Sequence, residues 1–270
     1  MAIRFFQPAE DLRDVIARIY VHESDAFEIA ERRWLIVPDG DIKLIFPFSG
    51  DIRCTIGDAE RLHSASRMIV SGMRTLPGYL EFPESVGAVG VIVRPEAAYR
   101  LFGVPQHEIA NRTLDADEIL GRAVRPWQDT LMKVSKAEER VDRIQAALRD
   151  WLKGRDRRDQ GLEYAVRRLR RLEGRVLIEE LAREVGWSRR QLERTFQNHV
   201  GVGPKSMASI FRFHAVYTRL RHGGGAPLGD LILGQYYDQS HFLKDFRRYT
   251  ESTPRTYRNA SDYGKFYIPN

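Results

Sequence analysis

The sequence of 270 residues has a single cysteine and no apolar run long enough to span a membrane. Cys54 alone can form neither an internal disulfide nor a thiolate metal site, which agrees with a reducing compartment. The first residues, from Met1 to Phe5, lack the basic and then apolar pattern of a signal peptide. We therefore expect a cytoplasmic protein without a membrane segment.

Patterns that would indicate catalysis are absent as well. We find no nucleophile with an adjacent base, no paired carboxylates and no metal cluster at a recognisable spacing. The seven histidines are scattered, and no two lie four residues apart on a helix, the spacing that a zinc protease requires. The sequence therefore predicts no catalytic residue, no metal and no cofactor.

Positive charge, by contrast, is concentrated in one part of the chain. Residues 1–160 contain 24 Lys and Arg against 26 Asp and Glu, whereas residues 161–270 contain 19 against 11. The formal net charge of +6 thus arises entirely from the C-terminal part. A basic segment beside a nearly neutral one suggests a polyanion-binding domain joined to a second domain, although a solvated basic surface gives the same charge pattern.

The N-terminal part shows short apolar runs that alternate with turn signals, between about residues 30 and 93. Its turns contain Gly, Pro, Asp and Ser, as in Pro38-Asp39-Gly40, and these residues favour tight reversals. The apolar runs are Trp34 to Val37, Ile42 to Phe46, Met68 to Val70 and Val89 to Val93. This pattern predicts a β-rich sandwich or barrel in a first domain over residues 1–125.

After Pro95 the pattern changes to helices. Val141, Ile144, Leu148 and Trp151 recur on one helical face. This stripe fits a seam with a second copy of the chain, and equally docking onto the β-domain of the same chain. We predict a homodimer through the N-terminal part, to which the helical segment from about Asp115 to Trp151 contributes. Residues 126–160 are predicted to form a helical connector and linker.

The last hundred residues contain an internal repeat with an offset of fifty. Chemically similar residues recur at seven positions, which indicates two copies of one supersecondary unit. The pairs are Ile178 and Leu228, Leu181 and Leu231, Trp187 and Tyr237, Leu192 and Phe242, Arg194 and Lys244, Phe196 and Phe246, and Pro204 and Pro254. The predicted fold class is therefore α+β multidomain, with an all-α C-terminal domain over residues 161–270.

The first copy is predicted to be a helix-turn-helix unit. An amphipathic helix stops at Gly186, Ser188 is a good N-cap for the next helix, and that helix ends at Gly201. The second helix presents polar and mostly basic side chains opposite its buried stripe, as a helix in the major groove of DNA requires. A helix from about Lys205 to Arg221, followed by three glycines, separates this copy from the next one.

Both copies supply candidate DNA-binding residues. A rigid connecting helix could hold the two recognition helices in successive major-groove segments, which recur about every 34 Å. The candidates are Ser188, Arg189, Arg190, Glu193, Arg194, Gln197 and Lys205 around the first copy, and Gln239, Ser240, His241, Lys244 and Arg247 in the second. Further candidates for phosphate contacts are Arg167, Arg168, Arg170 and Arg171, each of which fits a solvated charge run equally well.

From Leu177 to Arg258 the sequence resembles the AraC/XylS family of transcription regulators. The most specific match is the segment from Tyr236 to Phe242, followed by Phe246-Arg247-Arg248 and Ser252-Thr253-Pro254. The resemblance implies two helix-turn-helix units joined by a long helix. It also implies base-reading roles for Arg190, Glu193, Arg194, Ser240, His241 and Lys244.

The sequence departs from this family at two positions. The family usually has a glycine at the second turn and another before the final Thr-Pro, where this chain has Tyr236 and Glu251. Gly234 lies two residues before the first of these positions. We therefore expect the second unit to have its own turn geometry.

The N-terminal part resembles the β-rich domain that precedes this DNA-binding module in one branch of the family, through Arg33-Trp34, Val37 to Gly40, Leu44 to Phe46, Val93 to Ala98 and Leu101 to Gly103. The resemblance implies a cupin-like sensor domain. An aromatic set could line its effector pocket or form ordinary core. The set is Trp34, Phe46, Phe48, Tyr79 and Phe82.

The predicted partner is double-stranded DNA. A small-molecule effector, a second copy of the chain and RNA polymerase are further candidate partners, and no membrane partner is expected. Two alternatives remain open. The N-terminal domain could serve only dimerisation or partner binding, and a cupin-type enzyme is a distant second.

Overall fold

A computed structural model describes residues 2–24, 33–57, 59–63, 67–82, 85–155, 158–222 and 227–259. The strands form a six-stranded sheet in the order β1-β2-β9-β4-β7-β10 and a four-stranded sheet in the order β3-β8-β5-β6. They are β1 (Ala2–Phe6), β2 (Ile16–Ser24), β3 (Arg33–Ile36), β4 (Ile42–Ser49), β5 (Ile52–Ile56), β6 (Ala59–His63), β7 (Ile69–Ser71), β8 (Gly78–Glu81), β9 (Val86–Val93) and β10 (Thr113–Asp115). The predicted β-rich N-terminal domain is thus confirmed.

The two sheets pack face to face, and β9 lies in the middle of the larger one. All eight residues of β9 are buried, because its alternating side chains enter two different cores. Ala88 and Ile92 point towards the smaller sheet, where they meet Trp34 and Leu80. Val89, Val91 and Val93 point the other way, towards the helices.

Helices follow the strands, as predicted. They are α1 (Ala98–Phe102), α2 (Ala116–Leu120), α3 (Arg125–Met132), α4 (Ala137–Leu152), α5 (Gln160–Arg171), α6 (Ile178–Glu184), α7 (Arg189–Val200), α8 (Pro204–His222), α9 (Leu228–Ile232), α10 (Gln239–Thr250) and α11 (Pro254–Asn259). Among the described helices, none is long and apolar enough to cross a membrane.

The apolar stripe of α4 docks onto its own chain. Val141, Ile144 and Leu148 are each at most 3% exposed and belong to the core on the helix side of the larger sheet. Trp151 packs against the same core, and its indole nitrogen donates to the carbonyl of Leu101 across 2.9 Å. This stripe is therefore not a seam for a second copy, and of the two alternatives the structure shows docking onto the same chain.

The strand region begins earlier than the sequence pattern indicates. β1 and β2 precede residue 30, and β2 pairs with β9 along its length. His22 and Glu23 interrupt the apolar character of β2, although His22 is only 2% exposed. This inner strand of the larger sheet is therefore not recognisable from the pattern of apolar residues.

One core connects the N-terminal domain to the first helix-turn-helix unit. The cluster that contains Val91 and Ile144 continues through Leu169, Leu181 and Phe196. A second cluster holds the other unit and joins Leu35 and Val37 of the β-domain to aromatic residues of α8, α10 and α11. Both units therefore pack against the N-terminal domain, through separate cores.

Candidate functional site

The first helix-turn-helix unit consists of α6 and α7. Gly186 lies in the turn with a φ of 69°, in the left-handed region that glycine favours. Ser188 caps α7, because its hydroxyl accepts a hydrogen bond from the backbone of Gln191 across 3.1 Å. α7 ends at Gly201, with a φ of 97°. The predicted capping residues therefore have the predicted roles.

One face of α7 is buried and the opposite face is open. Leu192, Phe196 and Val200 are fully buried. The exposed candidate residues are Arg189, Arg190, Glu193 and Arg194, with Gln197 half-buried beside them. Arg189 pairs with Glu179 of α6 across 2.9 Å. The guanidinium groups of Arg190 and Arg194 have no carboxylate within 4 Å among the described residues, so they can reach a nucleic acid.

The second unit consists of α9 and α10, and its turn differs from the first. Gly234 takes the left-handed conformation, with a φ of 74°. Tyr236, at the position of the family's glycine, is buried, and its hydroxyl donates to Asp245 across 3.2 Å. Burial raises the pKa of Tyr236, and the neighbouring Asp245 raises it further. The phenol therefore stays neutral and anchors the turn to α10.

The outer face of α10 is polar, and its formal charge equals that of the α7 face, since the three arginines of α7 lie beside Glu193. Asp238 caps the helix by accepting a hydrogen bond from the backbone of His241 across 2.7 Å. The exposed candidates on this face are Gln239, Ser240, His241, Lys244 and Arg247. Leu243 is partly buried against the aromatic core. Both recognition faces are thus open to solvent.

Helix α8 joins the two units and packs into both cores. Met207 and Phe211 lie in the core of the first unit, whereas Ile210 and Phe213 lie in the core of the second. Lys205 is exposed on its first turn, as a phosphate contact requires. The three glycines expected after this helix lie outside the described residues.

The arginines of α5 have different environments. Arg167 and Arg171 are exposed, and Arg168 pairs with Glu184 of α6 across 3.2 Å. Arg170 faces the N-terminal domain, where it donates to the carboxylate of Asp41 across 2.9 Å. Arg170 is therefore a domain-interface residue and not a phosphate contact, because Asp41 already holds its guanidinium.

The interface around Arg170 is tightly packed. Its guanidinium lies 4.8 Å from the ring centre of Phe211. That ring in turn lies over Gly40, where a Cβ would collide with it. At another point of contact between the domains, Tyr99 stacks on His199 of α7 with ring centres 4.6 Å apart. The DNA-binding units are thus docked on the N-terminal domain at several separate points.

The five aromatic residues of the predicted effector site do not share a pocket. Trp34 and Phe82 contact each other in the core between the sheets, with ring centres 4.7 Å apart. Phe46 is fully buried on the opposite face of the larger sheet. Phe48 lies beneath the guanidinium of Arg140. This correction follows from strand geometry, because successive side chains point to opposite faces of a sheet.

The fifth aromatic residue lies at the domain interface. The hydroxyl of Tyr79 donates to the carboxylate of Glu251, at the end of α10, across 3.0 Å. Its ring packs against the core of the second unit. Tyr79 thus connects the smaller sheet to the second unit and does not line the cavity described next.

A cavity of about 50 Å³ lies among the two sheets and α8, in a place that the sequence analysis did not indicate. Both domains contribute to its lining. The lining residues are Tyr20, Leu35, Ile36, Val37, Asp39, Lys43, Ile45, Cys54, Ser71, Arg74, Leu80 and Thr113 from the N-terminal domain, and His214 and Tyr217 from α8. The cavity is therefore sealed on one side by the helix that joins the two DNA-binding units.

Polar groups in this cavity are paired to different extents. Burial would raise the pKa of Asp39, but the ammonium of Lys43, 2.5 Å away, holds it below its ordinary value. Burial lowers the pKa of His214, so its ring is neutral at pH 7. Burial raises the pKa of Cys54, which therefore remains a thiol. Arg74 is buried and has no carboxylate partner within 4 Å among the described residues.

Within the described residues, the structure has no group of three or more His, Cys, Asp or Glu side chains that could hold a metal ion. His63 is fully buried, and its Nδ1 lies 2.9 Å from Asp115. His22 packs against Trp34 and Phe82 in the core between the sheets. These two histidines of the β-domain are therefore buried residues of its core.

Comparison with known proteins finds a separate family match for each of the two domains. Residues 181–260 match the family model of a helix-turn-helix domain. Residues 4–115 match a second family model, described as a domain of unknown function (DUF6597). An uncharacterized HTH-type transcriptional regulator of Haemophilus influenzae is 29% identical over 83 residues, which is 31% of this chain and 28% of that protein.

The fold as a whole is similar to that of ToxT from Vibrio cholerae. One ToxT structure aligns with 96% of this chain and 98% of its own, at 10% identity and a TM-score of 0.51. A ToxT structure bound to (E)-4-(8-methylnaphthalen-1-yl)but-3-enoic acid aligns with a TM-score of 0.51 at 10% identity, over 96% of this chain and 99% of its own. At this identity the likeness establishes the two-domain fold.

Proposed function

We propose that this chain, which carries the helix-turn-helix domain of AraC-type transcription regulators in its C-terminal part, binds a specific DNA site under the control of a small-molecule effector. The observation that carries the proposal is the pair of capped recognition helices, α7 and α10, with open polar faces. Each face has long side chains that can reach base edges in the major groove. The helix α8 connects them, so that one chain would contact two groove segments.

We assign the base-reading role to residues in the middle of each open face. In the first unit these are Arg190, Glu193 and Arg194, which are all exposed. In the second unit they are Ser240, His241 and Lys244. Arginine pairs with guanine through two hydrogen bonds, and a carboxylate accepts one from cytosine. The two faces would therefore read different base sequences.

The remaining exposed candidates are assigned to phosphate contacts. They are Ser188, Arg189, Gln197, Lys205, Gln239 and Arg247, together with Arg167 and Arg171 of α5. Such contacts fix the position of a protein on DNA and carry no sequence information themselves. Each neutralised phosphate steepens the dependence of log affinity on log salt concentration by about 0.9.

Selection of DNA fragments by the full-length protein tests this function. We expect a site with two conserved blocks about 10 base pairs apart, because successive major-groove segments on one face are separated by about one helical turn. Affinity for that site should fall steeply with salt. Random enrichment, or a single short block, would contradict the assignment of two recognition helices.

Effector control is proposed from the cavity and from the fold. The cavity touches both domains, and α8 supplies His214 and Tyr217 to its lining. A ligand there would contact the helix that sets the spacing of the recognition helices. ToxT, whose fold is similar, has been solved with an organic acid bound. We therefore place the effector site at this cavity rather than at the aromatic set expected from the sequence.

The oligomeric state stays a prediction. The stripe of α4 that suggested a dimer is buried within its own chain, so a homodimer would need another surface. Light scattering on the full-length protein decides this point. RNA polymerase as a partner also stays a prediction.

A further inference from the structure

The loop between α5 and α6 contains a glutamate in a backbone conformation that is unusual for its residue type. α5 ends at Arg171, and Glu173 follows with a φ of 50°, in the left-handed region. Its backbone N–H donates to the carbonyl of Arg170 across 3.0 Å, and that of Gly174 donates to Leu169 across 2.8 Å. This pair of bonds is a Schellman motif, in which glycine is the usual residue at the position of Glu173. A side chain here strains the backbone, so its contacts need an explanation.

The carboxylate of Glu173 connects three parts of the C-terminal half. It accepts a hydrogen bond from Nη2 of Arg219 on α8 across 2.6 Å. It also accepts one from the side-chain amide of Gln235, which lies in the turn of the second helix-turn-helix unit and is buried. A single side chain thus joins the loop before the first unit, the connecting helix and the second unit.

The backbone of this loop is held against α8. A Cβ on Gly174 would collide with the carbonyl oxygen of Ala208, so the loop lies directly on the helix backbone. Nη1 of Arg212, also on α8, donates to the carbonyl of Gly174 across 3.4 Å. The same guanidinium lies 5.7 Å from the ring centre of Tyr236 in the second turn. The carboxylate of Glu173 therefore extends from a fixed backbone towards the second unit.

Two recognition helices that read one DNA site need a fixed separation and a fixed relative rotation. Adding one base pair between two blocks moves one of them by about 3.4 Å and turns it by about 36° around the DNA axis. α8 sets the distance between the units, because it packs into both cores. The contact of Glu173 with Gln235 does not run through α8, and it ends just before α10. Such a contact restricts rotation of the second unit about the connecting helix.

We propose that Glu173 is a positioning residue that fixes the orientation of α10 relative to α7, and thereby the spacing between DNA blocks that the chain accepts. The inference rests on the DNA-binding function proposed above. It concerns the separation of the blocks and not the bases within them, because Glu173 lies outside both recognition helices. The side chains of Arg219 and Glu173 are 39% and 35% exposed, and exposed ion pairs stabilise a fold only slightly. The main effect of the pair is therefore on geometry.

A series of DNA duplexes tests this role with the full-length protein. The series starts from the selected two-block site and lengthens or shortens its spacer by one or two base pairs. We expect the affinity of the unmodified protein to fall at least tenfold for a change of one base pair. Glu173→Ala should reduce this loss to threefold or less and leave the affinity for a duplex with the first block alone unchanged. A steep spacing profile in Glu173→Ala, or a flat one in the unmodified protein, would overturn the proposal.

Glu184 provides a matched control. Its carboxylate also accepts hydrogen bonds from an arginine and from a neutral donor, but both partners, Arg168 and Tyr164, lie on α5. These contacts do not reach the second unit. Glu184→Ala should therefore keep the steep spacing profile, whatever its overall affinity. A flattened profile in this control would overturn the proposal, because loss of any such carboxylate would then be sufficient.

A second variant at the same position protects the test from poor folding. Glu173→Gly also removes the carboxylate, and it gives the Schellman motif its usual residue. Its backbone is therefore less strained than that of Glu173→Ala. It should flatten the spacing profile to the same extent. A steep profile in a folded Glu173→Gly would show that the carboxylate does not set the spacing.

A measurement without DNA separates this inference from the proposed function. Spin labels at Gln191→Cys on α7 and Arg248→Cys on α10, both at exposed positions, report the distribution of distances between the two helices. The native Cys54 is buried. Glu173→Ala should broaden this distribution, and an unchanged distribution would refute the positioning role. Failure of the unmodified protein to bind any selected DNA would refute the regulator function alone, because the distance measurement does not depend on DNA.

Discussion

The two helix-turn-helix units share a sequence pattern but differ in how they are held. In the first unit, α7 packs against α1 and against the short 3-10 turns Pro95–Ala97 and Gln106–Glu108 of the N-terminal domain. In the second unit, the main contacts of α10 are with α8 and α9. The first unit is therefore fixed by the N-terminal domain, whereas the second is fixed mainly by its own connector.

Their recognition faces carry the same formal charge but differ in composition. The exposed face of α7 carries Arg189, Arg190 and Arg194 beside Glu193, while the corresponding face of α10 carries Lys244 and Arg247 beside neutral groups. In the proposed DNA-binding role, the arginines of α7 would give the stronger base contacts, because a guanidinium can form two hydrogen bonds with guanine. We expect the differences between the two units to show in the following variants, from the largest effect to the smallest.

The two cores should respond separately to loss of an aromatic side chain. Phe196 and Phe246 occupy equivalent positions and are both fully buried. Replacing either by alanine should cost about 3–5 kcal/mol of unfolding free energy. Hydrogen exchange should show faster exchange of α5 to α7 in Phe196→Ala, and of α8 to α11 in Phe246→Ala. Identical exchange patterns would mean that the two units unfold as one body.

The recognition faces should contribute unequally to specificity. Arg194→Ala should reduce discrimination between the selected site and random DNA by about 1–3 kcal/mol, because a bidentate arginine contact is lost. Lys244→Ala, at the equivalent position, should reduce it less, since lysine acts as a point charge. Lys205→Ala serves as the control and should weaken both affinities alike. A larger effect at Lys244 would reverse the proposed division of roles.

The ends of the two recognition helices differ in backbone strain. Gly201→Ala should destabilise the protein by about 1–2 kcal/mol, because its φ is 97° and a Cβ would lie 2.8 Å from the carbonyl oxygen of Gln106. Glu251 adopts a φ of 55° without being glycine. Glu251→Gly should relieve about 1–2 kcal/mol of left-handed strain. The greater freedom of glycine in the unfolded chain offsets about 0.4–1 kcal/mol of this gain, and loss of the hydrogen bond from Tyr79 reduces it further. Chemical denaturation measures both, and a stabilising Gly201→Ala would contradict this account.

The N-caps should contribute about equally. Ser188→Ala and Asp238→Ala each remove the side-chain oxygen that accepts a backbone hydrogen bond, which should cost about 1 kcal/mol. Ser188→Thr and Asp238→Asn retain an acceptor and should lose much less. Thermal unfolding provides the measurement. A cost confined to one unit would show that the two turns are not equivalent in energy.

The recognition units could be predicted from sequence because their signals are local. Capping by Ser188, the stop at Gly201 and the stripe of Leu192 and Phe196 all depend on neighbours within a helix. The repeat offset then placed the second unit, and its unusual turn was visible in Tyr236. Local pattern and periodicity were enough for this half of the chain.

The cavity could not be predicted in the same way. Arg74, Tyr20 and His214 are far apart in the sequence and meet only through strand register and the docking of α8. The aromatic residues expected to line the effector pocket lie on both faces of the sheets. The sequence alone does not say which face each of them occupies. A partial signal exists in Gly90, which lies opposite Tyr20 on β2 and would collide with its ring if it carried a Cβ.

The packing of α8 limits how the N-terminal domain of such a protein can be exchanged for that of another protein. Phe211 fits over Gly40, and Tyr217 completes the cavity wall, so α8 is complementary to this particular β-domain. A chimaera joined between α4 and α5 would pair α8 with an unrelated surface and expose its apolar face. A working exchange of sensor domains would have to carry the matching residues of α8 with the sensor. The proposed response to an effector would therefore depend on a helix of the C-terminal half as well as on the β-domain.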